Sequence, residues 1–183
     1  LVPEDFGLIA VMLGLTGIIS GLSQFGFNHA LIQFKNTSNE DYATAWTMNI
    51  CRGIVLSIIV FLLSFPAAEY LNDGRYLAML QVVACLPFIK ALENIKFIEF
   101  DKNLEFNVVF KVMVITKVLG VITTISLAIL WRNYWVLIAG MIVTAITRVT
   151  LTYYYAPLIT QFTFQSWRKL FNFSGWLFGA QAL

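Results

Sequence analysis

Four basic residues have unusual positions in this sequence, because each lies inside a long apolar stretch. They are Arg52, Lys90, Lys117 and Arg148. A charged side chain near the centre of a membrane-spanning helix costs about 3 kcal/mol on insertion scales, so each should face protein or water rather than lipid. Arginine offers paired donors to a phosphate group, and lysine offers a point charge. The four cations are therefore candidates for binding an anionic ligand that carries phosphate or pyrophosphate.

The segments that carry these residues have the composition of a membrane protein. Of the 183 residues, 59% are hydrophobic and 12% are charged, and the mean hydropathy is +0.78. Soluble domains carry about 25% charged residues, and a soluble domain of this length could not keep so much apolar surface away from water. The composition excludes most soluble folds, and a net charge of +2 is too small to indicate a nucleic-acid partner.

The hydrophobic pattern predicts an all-α membrane protein, a multi-pass helical bundle. A spanning helix needs about 20 mostly apolar residues, and at that length the chain divides into five complete spans and a truncated sixth. The segment after the fifth span mixes aromatic with polar residues, which predicts an interfacial cytoplasmic linker or, equally well, a plain loop. The bundle occupies 1–156, with spans at 5–27, 43–66, 76–98, 108–131 and 134–156, the linker is 157–169, and the truncated span begins in 170–183.

The Lys and Arg residues of the short loops predict the orientation of the bundle. Loops on one side carry four of these residues and loops on the other carry two, and positive loops favour the cytoplasm. The residue 1 end is therefore expected outside the cell. Because the chain does not start with Met and stops inside an apolar run, we expect an internal fragment of a longer protein. The four Lys and Arg residues in the predicted cytoplasmic loops are Lys35, Lys102, Arg168 and Lys169, and the two in the predicted outside loops are Arg75 and Arg132.

The four intramembrane cations are predicted to share one depth. Each lies eight or nine residues from the cytoplasmic end of its predicted span. At about 1.5 Å per residue this is roughly 12 to 14 Å, near the middle of a bilayer core about 30 Å thick. A single such cation can snorkel to the surface, or can serve only as a hydrogen-bond donor between helices. Four at one depth instead predict an anion-accepting cavity near the midplane.

Four polar residues are predicted to line this cavity or to couple it to an ion. Asn49 lies one helical turn before Arg52, while Glu93 and Asn94 follow Lys90 at helical spacing. Glu93 is expected to be the ion-pair partner of Lys90, with a protonation or cation-coupling site as the alternative. One acid does not neutralise four cations, so a positive excess remains for a ligand. The four polar residues are Gln24, Asn49, Glu93 and Asn94.

No motif for nucleotide binding, metal binding or catalysis accompanies these residues. The sequence has no glycine-rich phosphate loop and no His/Cys cluster with metal-ligand spacing, and the single His29 has no partner in the pattern. Cys51 and Cys85 lie in apolar stretches, where a free Cys acts as a small hydrophobic residue. The sequence therefore predicts no metal, no cofactor and no enzyme activity.

Several short motifs occur in an order and spacing that together are specific. They are Leu1-Val2-Pro3-Glu4-Asp5-Phe6-Gly7-Leu8, the stretch from Gly26 through Ala30-Leu31-Ile32-Gln33, Tyr42-Ala43-Thr44-Ala45-Trp46, Arg52-Gly53, Tyr134-Trp135 and Phe173-Ser174-Gly175-Trp176. Across nearly the whole chain, this set resembles the exopolysaccharide and O-antigen flippases, often called lipopolysaccharide biosynthesis proteins. These are polysaccharide transporters of the multidrug/oligosaccharide-lipid/polysaccharide exporter superfamily.

The resemblance implies a bacterial inner-membrane protein with two helical lobes around a central cavity, of which this chain would hold most of one lobe. Such proteins move polyprenyl-pyrophosphate-linked oligosaccharides from the cytoplasmic to the periplasmic leaflet. The implied partners are the lipid-linked oligosaccharide, membrane lipid and a coupling ion, either proton or sodium. The resemblance supports Arg52 as a ligand of the lipid pyrophosphate, and the shared depth adds Lys90, Lys117 and Arg148.

Two other functions stay open at this point. A multidrug or cation exporter of the same superfamily would require an acidic rather than a basic cavity. A membrane glycosyltransferase or polymerase of the same pathway would require a catalytic carboxylate or His, most often in a long outside loop. The predicted outside loops are short, and the predicted cavity is basic. Both observations favour the flippase.

Overall fold

The computed structural model describes residues 38–70, 74–131, 133–157 and 162–167, together with positions 7, 10, 14 and 17, whose backbone is helical. The predicted first span at 5–27 falls mostly outside these described residues. So do Gln24 and the truncated span that was predicted to begin in 170–183.

Helices make up most of the described chain, and no strand occurs within the described ranges. Three helices are long and apolar enough to cross a membrane, and the region between the first and second of them is a helix pair bent by 61°, which can form a fourth span. This confirms the prediction of an all-α, multi-pass membrane protein. The helices are α1 Asn39–Tyr70, α2 Arg75–Val83, α3 Cys85–Ala91, a 3₁₀ turn Ile95–Phe97, α4 Ile98–Lys102, α5 Phe106–Trp131 and α6 Trp135–Tyr155.

The start of α1 is fixed by a reciprocal cap. The Ser38 hydroxyl accepts a hydrogen bond from the Asp41 N–H at 3.2 Å, and the Asp41 carboxylate accepts one from the Ser38 N–H at 3.1 Å. This capping box satisfies donors that a helix N-terminus otherwise leaves unbonded. The helix therefore begins at Asn39, earlier than the start predicted at 43, and continues past Pro66 to Tyr70.

The stretch predicted as one span at 76–98 is broken twice. The first break lies at Ala84, before Pro87, which lacks the N–H that would bond to the carbonyl one turn earlier. The neighbouring Phe88 N–H donates instead to the hydroxyl of Ser57 on α1, at 3.1 Å. The second break ends at Asn94, whose extended backbone and side chain cap the following turn. The chain therefore bends sharply within the stretch predicted as a single span.

Apolar contacts join the helices into a bundle around three clusters. The first buries residues of α2, α3 and α6, and the second packs the start of α1 against the bent segment 75–102 that precedes α5. The third packs the bent segment against α5 and the residue that follows α6. Outward side chains of α1 and α5 are large and apolar; Val55, Leu62 and Val121 are each more than half exposed. An outward apolar surface with a packed interior is the arrangement that lipid as solvent favours.

The described part of the predicted linker, 162–167, packs against the start of α1. The rings of Trp46 and Phe162 lie 5.0 Å apart between centroids. The hydroxyl of Thr47 accepts a hydrogen bond from the Thr163 N–H at 3.3 Å. The segment has no regular secondary structure at 162–164 and a turn at 165–166, and Trp167 is exposed. Its placement at the membrane surface stays a prediction.

Candidate anion-binding cavities

Gly53 sets the crossing of α1 with α3. A Cβ atom added at Gly53 would collide with Ala91 Cβ and would lie 3.0 Å from the Pro87 carbonyl oxygen and 3.3 Å from Phe88 Cα. Only a residue without a side chain permits this backbone approach. The contact brings Arg52, the neighbour of Gly53, to the same cavity as Lys90 of α3.

A reciprocal pair of Gly-Thr contacts sets the crossing of α5 with α6. A Cβ at Gly120 would meet the Thr144 hydroxyl, and one at Gly140 would meet the Thr124 hydroxyl. Each threonine donates to the carbonyl four residues earlier on its own helix, Thr124 to Gly120 at 2.8 Å and Thr144 to Gly140 at 2.7 Å. Small residues in this pattern allow membrane helices to approach closely. The result is a polar strip along the α5–α6 seam.

The larger cavity lies beside this seam, between α3, α5 and α6. It has a volume of about 790 Å³. Three of the four predicted cations line it, together with Glu93, four threonine and glycine residues of the seam and several apolar side chains. The cations are Lys90, Lys117 and Arg148.

The smaller cavity lies between α1, the bent segment and α6, and its volume is about 250 Å³. Its lining is mostly polar and again includes three of the predicted cations, here Arg52, Lys90 and Arg148. All three described polar candidates, Asn49, Glu93 and Asn94, line it as well. The structure therefore brings seven of the eight predicted site residues to two adjoining cavities, and the eighth lies outside the described residues.

The two cavities follow one another along the bundle. The smaller reaches Asp101, close to the end of the bundle where α1 begins and α6 ends. The larger extends from Arg148 to Leu137 at the opposite end of α6. Under the predicted orientation, the smaller cavity is nearer the cytoplasm. The cations therefore line two successive compartments, whereas the sequence indicated a single belt.

Glu93 pairs with Arg148 rather than with Lys90, the partner expected from sequence. Arg148 Nε donates to Glu93 Oε2 at 2.9 Å, and the side chains are 42% and 29% exposed. Lys90 is exposed and makes no hydrogen bond or ion pair with any residue in the described part of the chain. The i, i+3 spacing failed because the helix ends at Ala91, so Glu93 is no longer on the helical face of Lys90.

Asn94 lines the smaller cavity but is itself a buried clamp, 3% exposed. Its N–H donates to the Thr152 hydroxyl at 3.2 Å, and its side-chain nitrogen donates to the carbonyls of Ala156 at 3.3 Å and Pro157 at 3.1 Å. Its side-chain oxygen accepts from the Lys96 N–H at 3.1 Å. Asn94 therefore ties the second break to the end of α6 and holds Glu93 beside Arg148.

Sequence reasoning missed Asp101 as a lining residue of the smaller cavity. Asp101 was assigned to a loop, and only the bend after Ala91 turns α4 back toward the cavity. No local signal marks it. The threonines of the α5–α6 seam were visible in the sequence, because Thr124 and Thr144 share helical faces with Lys117 and Arg148 respectively.

The two cavities together are lined by more basic than acidic side chains. Four cations and two carboxylates line them together, so a ligand with phosphate groups would complete the charge balance. Within the described ranges, no group of three or more His, Cys, Asp or Glu residues is placed to hold a metal ion. The arrangement can bind and orient an anionic headgroup between a polar and a more apolar compartment.

Long apolar helices, with cavities between them that basic side chains line, define a multi-pass α-helical membrane protein. Over residues 1–183 the chain matches the family described as "Polysaccharide biosynthesis protein", and it belongs to this family. The family resemblance stated from the sequence motifs is thereby confirmed.

Curated relatives include two bacterial proteins named for the biosynthesis of lipopolysaccharide and of succinoglycan. The chain is 31% identical over 81 residues to the "Lipopolysaccharide biosynthesis protein WzxC" of Escherichia coli K12, which covers 44% of this chain and 16% of the relative. It is 22% identical over 168 residues to the "Succinoglycan biosynthesis transport protein ExoT" of Rhizobium meliloti 1021, which covers 92% of this chain and 34% of the relative. The matched regions thus span about a third or less of these relatives. No solved structure matches the chain.

Proposed function

We propose that the full-length protein is a flippase of the bacterial inner membrane that moves a polyprenyl-pyrophosphate-linked oligosaccharide to the periplasmic leaflet for surface-polysaccharide synthesis. The observation that carries the proposal is the lining of the two adjoining cavities by four intramembrane cations. Membership of a polysaccharide biosynthesis family and similarity to a protein named for succinoglycan transport support it.

In this proposal the cations bind the pyrophosphate and the larger cavity takes part of the sugar. Arg52 and Arg148 present guanidinium groups that match phosphate oxygens, and Lys90 and Lys117 add positive charge. The hydroxyls of Thr124 and Thr144 in the α5–α6 seam line the larger cavity. Each already donates to its own helix and can still accept a hydrogen bond from a sugar hydroxyl. No covalent bond changes, so these residues bind and orient the substrate, and transport is driven by a proton or sodium gradient.

The balance of charges favours this substrate over an organic cation. A cavity that binds a cation would present more carboxylates than basic groups, whereas here Glu93 and Asp101 face four basic side chains. The multidrug exporter is therefore the weaker interpretation. A polymerase requires a catalytic carboxylate or His; of the two carboxylates that line the cavities, Glu93 is bound to Arg148 and Asp101 lines only the smaller cavity.

Binding of a prenyl pyrophosphate tests the proposal directly. The full-length protein in lipid nanodiscs is titrated with radiolabelled undecaprenyl pyrophosphate, and each cation is changed to Gln in turn. Loss of a charge-assisted contact should weaken binding roughly tenfold or more in Arg52→Gln and Arg148→Gln. Lys117→Gln and Lys111→Gln form a matched pair on α5, because Lys117 lines the larger cavity and Lys111 lines neither. Unchanged affinity in all the cavity variants would contradict the proposal.

A further inference from the structure

The ion pair between Glu93 and Arg148 lies where the two cavities meet. In the described chain, the residues that line both cavities are Lys90, Glu93 and Arg148. An anionic headgroup at the boundary between the two cavities would therefore lie beside this pair. The carboxylate of Glu93 reduces the positive charge that Lys90 and Arg148 place at this boundary.

Other contacts besides this ion pair hold the helices together at this point. Buried apolar contacts of Leu86 with Ile138 and Ala145 already hold α3 against α6, and four hydrogen bonds of Asn94 fix the break beside Glu93. Both partners of the pair are partly exposed, and ion pairs in contact with water contribute little to stability because screening and side-chain entropy offset the attraction. A competing anion can replace the carboxylate without disturbing the packing.

The geometry of the pair leaves most of the guanidinium available. Glu93 engages Nε of Arg148, and the two terminal nitrogens donate to no residue within the described ranges. Arginine binds phosphate best through two parallel donors. A phosphate group can therefore approach the terminal nitrogens while Glu93 is still bound, and the carboxylate repels it at short range.

We propose that Glu93 is an internal counter-anion, which neutralises Arg148 when the site is empty and weakens the hold on the substrate pyrophosphate so that it can be released. This inference rests on the proposed function, because it assigns Glu93 a role in the same site. A transporter gains nothing from uniformly tight binding of its substrate, since tight binding slows release. Glu93 is thus a residue that sets substrate affinity by competition.

The variant Glu93→Gln separates the charge of this residue from its hydrogen bond. The amide oxygen still accepts from Arg148 Nε, but the negative charge is lost. Titration of the full-length protein in nanodiscs with radiolabelled undecaprenyl pyrophosphate should show affinity higher by on the order of tenfold, the size expected for coupling between close charges. In proteoliposomes, the same variant should flip the lipid-linked oligosaccharide more slowly than the wild type. Glu93→Asp keeps the charge on a shorter side chain, so its affinity should lie between those of the wild type and of Glu93→Gln.

Two further variants complete the experiment. Glu99→Gln removes an acid of α4 that lines neither cavity, and it should leave affinity unchanged. In the double variant Glu93→Gln/Arg148→Gln, the affinity should be no higher than in Arg148→Gln alone, because Glu93 then has no Arg148 to neutralise. If Glu93→Gln binds the probe no more tightly than the wild type, the counter-anion is overturned while the flippase proposal stands. If the wild type binds no prenyl pyrophosphate, the proposed function fails and the counter-anion fails with it.

Discussion

The two helix crossings that build the site both depend on glycine, but they resist a side chain for different reasons. At the α1–α3 crossing, a Cβ on Gly53 would meet Ala91 Cβ and backbone atoms of Pro87 and Phe88. At the α5–α6 crossing, a Cβ on Gly120 would meet the hydroxyl of Thr144. Backbone atoms yield only if the helices separate, whereas a hydroxyl can rotate away. We therefore expect the first crossing to be rigid and the second to be adjustable.

Each of the two crossings lies beside a different cavity. The rigid crossing carries Arg52 to the smaller, mostly polar cavity, whose shape is also fixed by the Asn94 clamp. The adjustable crossing forms one wall of the larger cavity, where Lys117 projects from α5. We expect the smaller cavity to keep its shape during transport and the larger one to change.

The largest effect is expected from Gly53→Ala. Alanine favours a helix over glycine by up to about 1 kcal/mol, but overpacking against backbone should outweigh this and destabilise the protein by about 2 to 3 kcal/mol. Thermal unfolding in detergent measures the change. Adding Ala91→Gly removes the nearest contact and should restore part of the loss, and Gly74→Ala, with no neighbour within 4 Å, is the matched control. A neutral Gly53→Ala would mean that the crossing is not rigid.

An intermediate effect is expected from Asn94→Ala, which removes the link between the bent segment and the end of α6. The Lys96 N–H and the carbonyls of Ala156 and Pro157 lose their partner, and a loss of about 2 kcal/mol follows from leaving buried groups unsatisfied. Asn103→Ala, an exposed amide at the end of α4, should cost far less. A double-mutant cycle sharpens the comparison: Asn94→Ala should couple to Gly53→Ala, since both act on the end of α3.

The smallest effect is expected from Gly120→Ala, about 1 kcal/mol, because Thr144 can rotate and lose only its bond to the Gly140 carbonyl. Thr144→Ala in the same chain should recover stability, as judged by thermal unfolding. Thr123→Ala gives the control, since Thr123 makes the same kind of bond to its own helix but is not among the contacts of Gly120. Equal losses in Gly120→Ala and Gly53→Ala would remove the distinction between the two crossings.

Much of the fold follows from local patterns. Apolar runs placed α5 and α6 within a few residues of their observed ends, because burial in lipid demands a minimum apolar length. The early start of α1 was also encoded, since Ser38 and Asp41 have the spacing of a capping box. The second break in the bent segment was not predictable in the same way. Asn94 caps it only because the end of α6 supplies its partners.

The sequence by itself determined the class of protein, the family and the residues that bear charge inside the membrane. These three depend on composition and local spacing, which do not depend on contacts between distant parts of the chain. Tertiary structure alone decided that Glu93 pairs with Arg148 and that Asp101 lines the smaller cavity. It also decided that two of the cations line both cavities and that the other two line one each. The physical reason is that contacts between helices depend on crossing points and bends. The close approach at Gly53 and the hydrogen bonds of Asn94 set these crossing points and bends, and the spacing of residues along a helix does not predict them.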